Sequence, residues 1–316
     1  MRIGFFGTPG IAAYALEHLT THFDIAFLVT GDDKPAGRDL QITCSPAKEV
    51  ARAHGIAVLH PKSLRDESFI AALKSFNADI FVVVAYGRLI PREVFTLPRL
   101  GTINLHPSLL PRYRGAAPVE WAIMHGEPRT GVTVQLINER LDAGDIVMQR
   151  EIPLTDSITA GELYEIVLPT GSHLLVESIR LLESGRAAPV VQDEAQASYC
   201  GKIDRETARI DWTMPAVQIN NLVRGLNPKP GAMTGFRDML FKIWKTAPLA
   251  EEAPCAPAPG VLFVHRKKRL LVGTGSGFLE VLSLQPERKK AMDAASFING
   301  YRLTADARFG SRPSGA

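Results

Sequence analysis

Residues 79–86 read DIFVVVAY, and the FVVV core at 81–84 contains no polar residue. A strand with one wet face alternates apolar and polar side chains. A continuous apolar run implies burial on both faces, the condition of a strand inside a parallel sheet covered by helices. Outward from it, IGFFG (3–7), DIAFLVT (24–30), IAVLH (56–60), GTINLH (101–106) and VTVQLIN (132–138) read as further strands. Amphipathic stretches at 11–21, 46–54, 67–76 and 116–125 read as helices between them. The alternation predicts an α/β, Rossmann-like, mostly parallel sheet whose chemistry gathers at the carboxyl ends of its strands.

The pattern changes from Val132. VTVQLIN, the turn LDAGD (141–145) and DIVMQREIP (145–153) predict a hairpin, so at least one strand here runs antiparallel. A helix over 160–184 follows, then APVVQDEAQASYCGK (188–202), a polar, irregular connector. Beyond it TARIDW, FKIWKTA, GVLFVHR, RLLVGTG and GFLEVLSLQP read as short strands, with a helix at 215–225, and predict a small antiparallel, OB-like β-barrel. The expected organisation is an α/β domain over 1–188, a linker over 189–203, the β-barrel domain over 204–306 and a disordered tail over 307–316. No internal repeat is visible.

The length of 316 residues suits two domains. Apolar residues at 46% and charged residues at 22% are those of an ordinary globular protein, and the apolar runs are too short to span a bilayer. MRIGFFGTPG lacks the apolar length and cleavage pattern of a signal peptide, so a cytoplasmic location is expected. Cys44, Cys200 and Cys255 are far apart and form no Cys-x-x-Cys pair, so neither a zinc site nor a disulfide framework is expected. The net charge of +3 hides an asymmetry: residues 1–199 hold 18 basic against 23 acidic residues, and residues 200–316 hold 18 against 10. A basic second module on a slightly acidic first one points to a polyanionic partner.

The candidate chemistry lies in NLHPSLLPRYRG (104–115). If Asn104 and His106 end a strand, the period of two sets both on one side, with Leu105 on the other. A hydrogen-bond donor, a titratable imidazole and the carboxylate of Asp142, 36 residues on, are the minimum set for acyl transfer. A βαβ unit over 101–106, 116–125 and 131–138 would bring Asp142 to His106, since a right-handed crossover leaves both strands' carboxyl ends on one sheet edge. SLLP (108–111) is a Pro-punctuated turn with two apolar side chains suited to a flat ligand. Arg112 and Arg114 flank Tyr113 and, beside a site, would orient an anionic group. GTPG (7–10) matches neither nucleotide fingerprint and reads as a tight strand-to-helix turn, with the helix N-terminus open to an anion. Lys34 to Arg38 lie in a loop of mixed charge that reads as solvated surface. The clusters Arg266–Lys267–Lys268–Arg269 and Arg288–Lys289–Lys290 carry adjacent like charges that a polyanion would relieve.

These residues resemble the formyltetrahydrofolate-dependent transferases. NLHPSLLPRYRGAAP with LDAGD is similar to the family hallmark, whose Asn, His and Asp fall on Asn104, His106 and Asp142. VVVAYGRLIP (82–91) resembles the strand and loop that line the folate pocket, which implies folate contacts for Tyr86, Gly87 and Ile90. SLLP implies them for Ser108, Leu109, Leu110 and Pro111. KPAGR (34–38) resembles the loop with which the tRNA-modifying branch approaches the acceptor stem, and ARIDW, LNPKPGA and LSLQPERKKAM resemble its C-terminal barrel. Three departures stand out: Pro107 where Gly is frequent, DLQITCSP after KPAGR where further lysines are frequent, and NPKP in place of NPWP.

The resemblance implies transfer of a formyl group from 10-formyltetrahydrofolate to the amino group of initiator methionyl-tRNA, for translation initiation. Together with the charge clusters it gives expected tRNA contacts at Lys34, Arg38, Arg266, Lys267, Lys268, Arg269, Lys289 and Lys290; no metal, no membrane and a monomer are expected. Two rivals share these features: a formyltransferase acting on an amino sugar nucleotide, and a catalytically silent RNA-binding module. The basic second half stands against the first, since a small substrate needs no extended cationic surface. Intact Asn104, His106 and Asp142 stand against the second.

Overall fold

The structure, a computed structural model, describes residues 1–31, 34–36, 41–249, 258–266 and 268–310. Two units separate by their internal contacts: residues 1–118, 130–153 and 165–200 form the first, and 119–129, 154–164 and 201–316 the second. Among the described residues no helix is long and apolar enough to cross a membrane.

The first unit is built on a seven-stranded sheet. Its strands are β1 (Arg2–Gly7), β2 (Asp24–Val29), β3 (Ala57–Leu59), β4 (Ile80–Val84), β5 (Thr102–His106), β6 (Arg129–Leu136) and β7 (Ile146–Pro153), in the order β7-β6-β5-β4-β1-β2-β3. The pairs β1 to β2, β1 to β4, β2 to β3 and β4 to β5 are parallel. Every residue of β4 is buried, as its unbroken apolar run requires. Helices α1 (Gly10–Thr20), α2 (Pro46–Ala53) and α3 (Glu67–Ser75) fall where the apolar periodicity sets them. The start of α2 is fixed by Ser45, whose hydroxyl accepts the Lys48 N–H at 3.3 Å, with Pro46 at the first helical position. One core cluster gathers the rings of Phe6, Phe27, Phe81 and Tyr86 in edge and tilted contacts. Gly4 makes this possible, because a Cβ there would collide with the rings of Phe27 and Phe81.

The expected βαβ unit over 101–138 is not formed. Strands β5 and β6 pair antiparallel, with Ile103 opposite Leu136, Asn104 opposite Gln135 and His106 opposite Thr133. The intervening helix α4 (Pro118–Met124) belongs from Val119 on to the second unit, and the antiparallel pairing itself excludes a βαβ crossover. The chain therefore re-enters at the carboxyl edge and runs back beside β5. The loop expected after β2 holds a small antiparallel ribbon, 34–36 against 41–43.

A long helix, α5 (Ala160–Glu183), follows, and its Gly171 lets the side chain of Leu105 approach closely. The connector is more ordered than its composition suggests. Tyr199–Cys200 pair in parallel with Arg114–Gly115, the Arg114 N–H donates to the Ser198 carbonyl at 2.8 Å, and the Ala116 N–H donates to the Cys200 carbonyl at 3.1 Å.

The second unit holds helix α6 (Ala216–Gly225), strands β8 (Ala232–Phe236), β9 (Met239–Pro248), β10 (Leu262–His265), β11 (Arg269–Gly273), β12 (Phe278–Pro286) and β13 (Met292–Asp293), and helix α7 (Ala294–Tyr301). The strands form an antiparallel six-stranded sheet in the order β8-β9-β12-β11-β10, with β13 on β12. TARIDW is not a strand, although Arg209 bridges Met233. Part of the expected tail is ordered. The Leu262 N–H donates to the Ala307 carbonyl and the Gly310 N–H to the Gly235 carbonyl, so residues 307–310 bridge the two edge strands β10 and β8. Phe309 is 2% exposed and stacks on Trp212. Burying that ring holds the segment, and residues 311–316 lie outside the described residues.

Candidate active site

Strand β1 is flanked by β2 on one side and β4 on the other, so the chain order reverses there. At such a switch point the loops after neighbouring strands diverge and leave a crevice at their carboxyl ends. Residues 85–91 follow β4 at that edge, and His106 ends β5 beside them.

The side chains of Asn104 and His106 share one side of β5, and their cross-strand partners Gln135 and Thr133 occupy the matching positions of β6. Asn104 is half-buried and makes no side-chain hydrogen bond among the described residues, so its amide is available to a ligand. His106 is 4% exposed. Its Nε2 lies 2.8 Å from the Tyr113 carbonyl, and its Nδ1 lies 3.7 Å from Asp142 Oδ2. A carbonyl only accepts, so Nε2 carries a proton. A neutral ring would then set the Nδ1 lone pair against the carboxylate, whereas an imidazolium would turn an N–H toward it.

Asp142 reaches His106 by a route other than the expected crossover. The segment 137–145 between β6 and β7 folds back: the Leu136 N–H donates to the Asp145 carbonyl, and the Asn138 amide donates to the Ala143 carbonyl. Asp142 Oδ2 accepts the Gly115 N–H at 2.9 Å, and Oδ1 accepts the Gln135 amide at 3.2 Å. Asp142, Tyr113 and Ala85 all hold left-handed backbone, with φ of 49°, 59° and 47°. For residues other than glycine this costs roughly 1–2 kcal/mol each, and it persists where surrounding bonds over-determine the chain. At Tyr113 the N–H donates to the Ser198 hydroxyl while the carbonyl accepts from His106.

The residues that resemblance assigns to folate divide by position. Tyr86 and Ile90 are buried in the Phe6–Phe27–Phe81 cluster, whereas Gly87 is exposed, in left-handed backbone. Ser108 is buried, and its hydroxyl donates to the Arg112 carbonyl at 2.7 Å. The Leu110 N–H donates to Thr133, its carbonyl accepts from Gln149, and the Leu110–Pro111 peptide is cis. Leu109 and Pro111 are partly exposed. Thus Tyr86, Ile90, Ser108 and Leu110 are buried, while Gly87, Leu109, Pro111 and the 74% exposed Leu89, which sequence reasoning passed over, present surface.

Arg114 corrects a further expectation. It is 0% exposed, and its guanidinium forks onto Glu194 at 3.0 and 3.1 Å, so it does not orient a substrate anion. The same bonds hold Arg114 above the ordinary arginine range and draw Glu194 below the ordinary carboxylate range. Arg112 stacks over Tyr113.

Of the basic residues, Lys34 lies in the 34–36 strand, and Arg38 and Lys267 lie outside the described residues. Arg266 and Lys268 are exposed in the turn joining β10 to β11, and Lys289 and Lys290 in the turn joining β12 to β13. Register sets both turns toward one end of the sheet, since Leu270 faces Val281 while β12 continues to Pro286. The Arg237 turn joins that end, because Phe241 faces Pro286. Arg269 is different: it forks onto Glu280 at 2.7 and 2.9 Å, so its charge is matched within the sheet.

Gln135 and Gln192, which sequence reasoning missed, complete the surroundings of Asp142. The Gln135 carbonyl oxygen accepts the Gly144 N–H at 3.2 Å and the Gln192 amide at 3.1 Å. A signal for Gln135 exists in hindsight: an amide inside the apolar strand VTVQLIN is a buried polar group that needs partners. For Gln192, in a polar connector, no local signal exists.

Comparison with known proteins gives the family of both domains. The sequence model of the family described as formyl transferase matches residues 1–179, and that of the formyl transferase C-terminal domain matches residues 202–302. The methionyl-tRNA formyltransferase of Clostridium novyi is 41% identical over 304 residues, covering 96% of this chain and 98% of the relative. That of Solibacter usitatus is 41% identical over 311 residues, covering 98% and 99%. Among solved structures, an N-formyltransferase of Helicobacter canadensis with folinic acid and dTDP-3-aminofucose superposes with a TM-score of 0.64 at 20% identity, covering 88% of this chain and 98% of that one. HypX of Aquifex aeolicus with tetrahydrofolic acid superposes at 0.62 and 20% identity, covering 94% of this chain and 47% of that one. At such identities these two neighbours speak for the fold.

Proposed function

The chain belongs to the formyl transferase family, and from that premise we propose that it transfers the formyl group of 10-formyltetrahydrofolate to the amino group of initiator methionyl-tRNA. The observation that carries this reading is His106 seated between the Tyr113 carbonyl and Asp142, with the Asn104 amide open beside it. An α-amino group has a pKa of roughly 7.7–8.0, so much of it is neutral near neutral pH and needs only modest base help. Its nitrogen attacks the formyl carbon, a C–N bond forms, and an electron pair moves onto the formyl oxygen. Asn104 donates to that oxygen. The amine's proton passes to His106 Nδ1, where Asp142 stabilises the charge, and returns to folate N10 as the bond from N10 to the formyl carbon breaks. The products are tetrahydrofolate and N-formylmethionyl-tRNA.

The folate lies at the edge formed by Gly87, Leu89, Leu109 and Pro111, which offer apolar surface and open backbone for a flat ring. Initiator tRNA is held by Arg266, Lys268, Lys289 and Lys290, with Lys34, Arg38 and Lys267 as further contacts. The chemistry belongs to residues 1–188, and all the tRNA contacts but Lys34 and Arg38 belong to 204–306. The protein acts as a cytoplasmic monomer, and a solution mass near 34.5 kDa would check that.

The direct test is formylation of charged initiator tRNA with 10-formyltetrahydrofolate by the parent chain and by Asn104→Ala and His106→Ala. With folding shown by circular dichroism, Asn104→Ala should lose ~10²–10³ in turnover, the scale of one oxyanion donor, and His106→Ala ~10²–10⁴, the scale of a positioned acid–base group. Near-parental formylation by both would overturn the assignment.

A further inference from the structure

We propose that Gln192, in the connector after α5, is a positioning residue for this reaction: with Arg114 it forces the Gln135 amide to present its N–H to Asp142. The proposal rests on the formyl-transfer reading and extends it to a residue far from the hallmark motif.

The reasoning is one of donor direction. A guanidinium only donates, so the Gln192 atom 2.8 Å from Arg114 Nη2 and 3.1 Å from its Nε is the amide oxygen. The Gln192 nitrogen then faces the other way, toward the carbonyls of Asp142 at 2.9 Å and Gly144 at 2.7 Å and toward Gln135 Oε1 at 3.1 Å. That nitrogen, together with the Gly144 N–H, compels the second amide in turn. Gln135 turns its oxygen inward and its nitrogen to Asp142 Oδ1. Reversing either amide would set donor against donor at one end and acceptor against acceptor at the other. Gln192 is 5% exposed and Arg114 is 0% exposed, so water does not relieve a reversed amide. The order of donors, Arg114 to Gln192 to Gln135 to Asp142, leaves Oδ2 for the Gly115 N–H and His106. Glu194 holds the first member by its fork onto Arg114, and Arg140 pairs with Glu194 at 3.2 Å.

The test uses the full chain with Gln192→Leu and Gln192→Glu. Steady-state formylation of initiator methionyl-tRNA is measured over both substrate concentrations, so that kcat and both KM values separate. Gln192→Glu keeps an oxygen toward Arg114 but sets an acceptor against Gln135, whose amide then turns its oxygen to Asp142. Both variants should lose about 10–100-fold in kcat, the scale of one disturbed hydrogen bond to a charged group. KM for both substrates should stay near parental, so that the loss falls on kcat. A role in holding the connector alone would lower the melting temperature and leave kcat near parental, which would overturn the proposal. If the leucine variant fails to fold, the glutamate variant decides by the same measures. A parent chain that does not formylate defeats the functional reading itself, whereas an active parent matched by both variants defeats only the positioning role.

Discussion

Replacing Asp142 with asparagine separates charge from shape. The side chain keeps its size and its left-handed backbone position, but two requirements conflict. In the parent, Oδ2 accepts the Gly115 N–H and Oδ1 accepts the Gln135 amide, so both oxygens face donors. Whichever way an asparagine amide turns, its NH₂ meets one of those donors, and one hydrogen bond is lost. An unsatisfied buried group of this kind costs about 1–3 kcal/mol in stability. The second loss is the charge facing His106 at 3.7 Å. At an effective dielectric of about 20, opposite unit charges at that separation attract by roughly 4 kcal/mol. Full loss of that attraction as the imidazolium forms slows turnover by ~10³, and partial compensation by water leaves ~10². Single-turnover formylation with saturating 10-formyltetrahydrofolate reads the chemical step, with folate affinity measured alongside as the control for pocket integrity. Turnover within about threefold of the parent, in a variant whose folate affinity is intact, would refute the role given to Asp142.

Two further outcomes are expected. Lys268→Ala, Lys289→Ala and Lys290→Ala combined should weaken tRNA binding and flatten its dependence on salt by up to about one logarithmic unit of slope per phosphate contact removed; an unchanged slope would remove these turns from the tRNA interface. His18 stands with His173 and His22 at ring separations of 4.7 and 4.9 Å, its Nε2 buried without a partner among the described residues, and burial first, then those two neighbours, lowers its pKa from 6.5. The unfolded chain therefore binds this proton more readily than the folded one, and stability present above pH 6.5 falls as the pH drops through the window below it. Thermal unfolding of His18→Gln should show a shallower acid slope than the parent, and identical slopes would sink the assignment.

Much of the first unit was legible because burial writes a local pattern. The run FVVV at 81–84 announced a strand covered on both faces, and Pro46 after Ser45 announced a helix start. In the second unit TARIDW misled, since its apolar alternation serves a turn that feeds Trp212 into the core against Phe309. Helix α7 was missed although its N-cap Asp293 accepts the Ser296 N–H at 2.7 Å, because the neighbouring KKAM drew attention as charge. The candidate site was half legible. Asn104, His106 and Asp142 were found as residue types at suggestive spacing, but the path that joined them was wrong: β6 runs antiparallel to β5, and the fold-back of 137–145 does what a crossover was expected to do.

The sequence by itself determined the strand and helix periods and the shared side of Asn104 and His106, because each depends on residues a few positions apart, and the charge difference between residues 1–199 and 200–316, because that is a sum over residue types. Only the tertiary structure decided which basic residues remain available and how the carboxylate is held. Arg114 and Arg269 look like anion binders until Glu194 and Glu280 are found on them. Gln192 looks like connector until its amide is found 57 residues from its partner Gln135. A hydrogen bond over that distance leaves no mark on local composition, because its partner is chosen by chain topology and its direction by a guanidinium that can only donate.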